Sequence, residues 1–180
     1  MYRSLAEAAA NCTRNIATGY GPIFSDRKSG GIAALLTRES NPEIQITAGG
    51  ETHGQVAQLI ARLQDADCGV RVSAVCTLAQ FGPESSEAVP ALIEVLDDRD
   101  WVVRVAAITA LGEIGQAASS AIPHLIEALA KDDVCASATI ALGRIGPSAQ
   151  AAVEAITVLR RNRSGFIRWC AEEALRSITG

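Results

Sequence analysis

The chain has 180 residues, of which 48 % are apolar but only 4 % aromatic, and its formal net charge is −4. That length suffices for one domain with a real core, which alanine, leucine, isoleucine and valine must fill. The charge is not the strongly basic balance of a general nucleic-acid binder, and no uninterrupted apolar run approaches the roughly 18 residues of a membrane helix.

Ser4-Leu5-Ala6-Glu7 has the form of a capping box and predicts a helix over about Leu5 to Thr18, ended by Gly19-Tyr20-Gly21-Pro22. Glu7 interrupts the alanines that follow Arg3, so no secretory apolar core is visible and the start predicts a cytoplasmic protein. Ile32 to Arg38 offers two further helical turns before Asn41-Pro42. Residues 1–51 carry no repeat and are expected to form an irregular N-terminal cap or extension.

From Thr52 the pattern changes. Val56-Ala57-Gln58-Leu59-Ile60 precedes Val89-Pro90-Ala91-Leu92-Ile93 by 33 positions, and Ile122-Pro123-His124-Leu125-Ile126 follows by another 33. A fixed period of this size marks stacked helix pairs. Thr52-His53-Gly54-Gln55 is a second capping box and opens the first outer helix. An inner helix is then expected from about Gly69 to Phe81, stopped by Gly82-Pro83. In the second pair Pro90 suits the first turn of a helix, and Asp97, Asp98 and Asp100 fill the turn before the inner helix. In the third the Gly112-to-Gly143 spacing is 31, two short of the period, and Cys135 replaces an arginine. The fourth pairs Val153, Ile156 and Leu159 with an inner helix from Phe166 to Ile178. The expected fold is an all-α, right-handed α–α superhelix of about four helix pairs, with repeats near 52–82, 86–115, 119–146 and 150–180.

The pieces that recur are P-x-L-I-x-x-L (Pro90 to Leu96, Pro123 to Leu129), the acidic turn, the Val-Arg or Ile-Arg pair (Val70-Arg71, Val103-Arg104, Ile167-Arg168) and A-L-G-x-I-G (Ala110 to Gly115, Ala141 to Gly146). In these residues the chain resembles HEAT-repeat proteins, in the short-repeat subtype also found in phycobilisome lyases. The resemblance implies that Arg71, Arg104 and Arg168 are structural and pair with turn aspartates. The turn aspartates themselves are expected to cap helices rather than hold a metal, because the D-x-D-x-D-G spacing is missing.

No motif assigns a catalytic residue, a metal site or a cofactor. His53 and His124 lack ligand spacing. The five cysteines (Cys12, Cys68, Cys76, Cys135 and Cys170) form no CxxC pair, and read as small apolar residues in a reducing compartment. The function expected is a non-catalytic interaction or scaffold module that binds another protein on its concave surface. Aligning the first three inner helices on Gly82, Gly115 and Gly146, and the fourth on Arg168, nominates Gln80, Val105, Thr109, Glu113, Arg144, Trp169 and Ser177 as the contact strip, with Trp169 as either anchor or cap. The competing reading of the strip is a merely solvated face. Two other functions stay open: a phycobilin-lyase-like factor, which the resemblance implies, and a nucleic-acid-binding helical repeat. Residues 55–150 hold six basic and twelve acidic side chains, which argues against the latter. Oligomerisation through an open C-terminal end is also expected.

Overall fold

The structure, a computed structural model, describes residues 52–180, without the side chain of Thr52. The expected N-terminal helices, the first capping box and Cys12 lie outside the described residues. Helices run α1 (Thr52–Arg62), α2 (Cys68–Phe81), α3 (Val89–Glu94), α4 (Trp101–Ile114), α5 (Ile122–Ala128), α6 (Cys135–Ile145), α7 (Val153–Leu159) and α8 (Gly165–Thr179). There is no strand among the described residues. The odd-numbered helices form the outer layer. The even-numbered ones form an inner row in which α2 packs on α4, α4 on α6 and α6 on α8.

Each of the first three inner helices ends at a glycine with positive φ: Gly82 at 54°, Gly115 at 68° and Gly146 at 74°. A side chain there would be strained, so glycine sets where the chain turns out of the helix. A seven-residue 3-10 segment follows each one: Gly82–Ala88, Gly115–Ala121 and Gly146–Ala152. Their middle residues, Ser85, Ala118 and Ala149, leave helical geometry and are fully buried. Ser85 is tolerated because its hydroxyl donates to the Leu78 and Gly82 carbonyls, each at 2.8 Å. The outer helices then start at Val89, Ile122 and Val153, with Pro90 in the first turn of its helix as expected.

The inner helices approach closely where the sequence is small. A Cβ on Gly112 would lie 3.0 Å from the Ala141 Cα, and one on Gly143 would lie 2.9 Å from the Ala174 Cα. The core runs along this row through Leu78, Leu111 and Leu142, which are fully buried. Residues Trp101–Ala128 contain a window of mean hydropathy 1.2, apolar enough by length and composition to cross a membrane, where the sequence pattern suggested none. Gly115 divides that stretch, and 56 % of the window is buried inside the protein. The 14 residues of α4 reach only about 21 Å, short of the roughly 30 Å a bilayer core requires.

Candidate interaction surface

The turns between outer and inner helices share one construction. Asp65, Asp98 and Asn162 are equivalent residues. Each accepts, through its side chain, the backbone N–H two residues on: Asp67, Asp100 and Ser164 at 2.8, 2.8 and 2.9 Å. Those three then cap the inner helices, accepting from the amides of Gly69, Val102 and Ile167. The third turn differs. Val134 precedes α6 with no side-chain cap, and α6 has 11 residues where α2 and α4 have 14. The two-residue deletion removes the cap, so Asp132 and Asp133 do not serve as caps, contrary to expectation.

Three arginines lock onto these turns. Nη1 of Arg71, Arg104 and Arg168 donates to the carbonyl six residues upstream, on Asp65, Asp98 and Asn162, at 2.8, 2.8 and 2.9 Å. The remaining donors of the first two reach into the next repeat. Arg71 grips both carboxylate oxygens of Asp98, from Nε at 2.7 Å and Nη2 at 2.8 Å. Arg104 donates to Asp133. The Arg71–Asp98 pair is buried, with side-chain exposures of 5 % and 11 %, whereas Arg104 and Asp133 are 21 % and 40 % exposed. Burial opposes ionisation of Asp98, but the bonds from Arg71 and the Asp100 amide outweigh it and hold its carboxyl below the usual range. Asp133 is lowered chiefly by its bond from Arg104, and Asp97 by its bond from Lys131. The Arg71 pKa is raised, first by the bond to Asp98.

The ladder stops at the third repeat. Cys135 stands where the arginine would be and is buried at 4 % exposure. Correspondingly, Asn162 stands where the next aspartate would be. It keeps the turn bond without a charge, so both halves of that ion pair are missing together. Arg168 makes its carbonyl bonds, to Asn162 and to Arg163 at 3.1 Å, and meets no carboxylate among the described residues.

The inner-helix strip is only partly available. Gln80 is exposed, and Thr109, Glu113, Arg144, Trp169 and Ser177 are half-buried. Val105 is buried at 5 % and so is not accessible to a partner, and its neighbours Gly112 and Gly143 along the inner row are buried too. The reason is the close approach at Gly112 and Gly143. Each interior inner helix is flanked on two sides, and its buried sector widens to cover nine of the 14 positions of α4. Glu113 and Arg144 do not stand apart as independent recognition groups: Arg144 donates to Glu113 across the α4–α6 contact. Phe166 and Trp169 stack with ring centroids 6.3 Å apart, and Phe166 is exposed.

His53 Nδ1 lies 3.0 Å from Glu87, joining α1 to the first 3-10 segment, while His124 is exposed on α5. Cys68, Cys76 and Cys135 are free thiols. Burial pushes the Cys76 thiol up to about 11, so it is an unreactive thiol at neutral pH. Among the described residues no three His, Cys, Asp or Glu side chains are grouped to hold a metal.

Residues 56–143 match the family described as HEAT repeats. Among solved structures, an engineered protein is similar at 24 % identity with a TM-score of 0.60, over 70 % of this chain and 63 % of that one. A designed armadillo repeat protein in complex with the peptide (KR)4 is 21 % identical with a TM-score of 0.60, over 69 % and 64 %. A second designed armadillo repeat protein is 20 % identical with a TM-score of 0.55, over 68 % and 64 %. The chain thus spans just under two thirds of the length of these structures. No curated protein matches the sequence. At such identities the likeness shows the fold alone: an all-α solenoid of stacked helical repeats.

Proposed function

We propose that the protein is a non-catalytic interaction scaffold, which binds another protein along the exposed side of its inner helices. The observation that supports this most is the row Gln80, Thr109, Glu113, Arg144, Trp169 and Ser177, whose side chains differ from repeat to repeat on a regular backbone. The designed armadillo neighbour is in complex with the peptide (KR)4, which supports peptide binding by a fold of this kind. Residues 1–51 are proposed as a separate extension, and the free thiols suit the cytoplasm.

The test exploits the Glu113–Arg144 pair. Exchanging the two, Glu113→Arg with Arg144→Glu, keeps an ion pair but reverses the field it presents. The expected result is an unchanged melting temperature with loss of the partner captured by the wild-type protein from its source cell. Capture that survives the exchange overturns the strip. The resemblance also leaves a bilin-lyase-like role as the alternative, and a bilin absorbance change on adding the protein would favour it.

A further inference from the structure

The fourth turn has the opposite sign to the three before it. The first three turns carry Asp65 and Asp67, then Asp97, Asp98 and Asp100, then Asp132 and Asp133. The fourth reads Arg160-Arg161-Asn162-Arg163, with Arg168 one helical turn into α8. All four arginines are exposed, and none forms an ion pair with a described residue. The nearest carboxylates in the chain are Glu154 and Glu172.

Arg168 is already held in the pose in which its equivalents take a carboxylate. Nη1 is tied to the Asn162 and Arg163 carbonyls, as Nη1 of Arg71 is tied to Asp65 and Ala66. In Arg71 that anchoring aims Nε and Nη2 at Asp98 of the next repeat. In Arg168 the same fork faces solvent with its entropy already spent, and a planar fork matches a carboxylate.

Arg176 occupies the position of Gly112 and Gly143, so a helix could not approach α8 as closely as α6 approaches α4. A chain lying across the turn needs no such approach.

We infer that the Arg160–Arg168 turn is a second contact surface, distinct from the inner-helix strip, which docks an acidic polypeptide segment and seats one of its carboxylates on Arg168. Arg160, Arg161 and Arg163 supply the surrounding positive field.

The test uses the full chain and a fluorescein-labelled peptide of alternating Asp and Glu, followed by anisotropy at low salt. Binding should weaken with added salt and fall about tenfold in Arg168→Gln, while Arg62→Gln, away from the turn, binds as wild type. Arg168→Lys, which keeps the charge but not the fork, should fall nearly as far. If Arg168→Gln fails to fold, Arg161→Gln with Arg163→Gln carries the test and should also weaken binding. The inference is overturned by no binding to the wild-type protein, by equal affinity in the turn variants, or by tighter binding of a single-stranded oligonucleotide than of the peptide. None of these outcomes touches the strip, which the Glu113–Arg144 exchange tests separately.

Discussion

The Arg71 and Arg168 turns are built alike, yet the first is followed by a repeat that supplies a carboxylate and the other belongs to the last described repeat. Both arginines clamp the carbonyl six residues upstream, and both turns use an Asx side chain to hold the following amide. At Arg71 the spare donors are sealed against Asp98, and at Arg168 they meet no carboxylate among the described residues. One motif therefore serves as a staple between repeats or as a binding fork, according to whether a neighbour supplies the carboxylate. The arginine alone does not decide which.

The largest effect expected follows from breaking the sealed pair. Asp98→Ala leaves a buried guanidinium without its counter-ion and should cost about 3–5 kcal/mol in equilibrium denaturation. A loss under 1 kcal/mol would put this pair with ordinary exposed ones. Next is the contact between inner helices: Gly143→Val forces side-chain atoms against the Ala174 backbone and should cost about 1–3 kcal/mol. If the melting temperature is unmoved, close helix approach is not what unites α6 with α8.

The pH dependence sharpens the same contrast. The Asp98 carboxyl is lowered in the folded protein, so its stabilisation is present above the unfolded carboxylate pKa near 4 and disappears as pH falls through the folded value. Stability should hold from neutral pH to about pH 5 and decline below it, less steeply in Asp98→Asn, as read by thermal melts across pH. The smallest effect belongs to the more exposed rung. A double-mutant cycle on Arg104 and Asp133 should return a coupling of about 0–1 kcal/mol that fades with salt.

Much of this fold can be read from the sequence because repetition multiplies weak signals. One proline or glycine is ambiguous, but Gly82, Gly115 and Gly146 ending three similar helices are not. Burial along the inner row is harder to read. The helix α4 is apolar almost all round, so no periodicity separates Val105, which is covered, from Thr109, which is partly open. The 3-10 segments were equally hidden, since GPESSEA and GQAASSA look like loops. The pairing of Arg144 with Glu113 was visible only as two opposite charges at matching positions. The reversed sign of the last turn stands in the sequence, but its meaning rests on the anchored pose of Arg168.

The contrast between the two turns can be measured directly by equilibrium unfolding of Arg71→Gln and Arg168→Gln side by side. Both variants lose the same carbonyl bonds, so the difference between them isolates the sealed carboxylate. The account predicts a loss of about 3–5 kcal/mol for Arg71→Gln against about 1 kcal/mol for Arg168→Gln. Equal losses would contradict it, because Arg71 would then be no more of a staple than Arg168, which meets no carboxylate among the described residues.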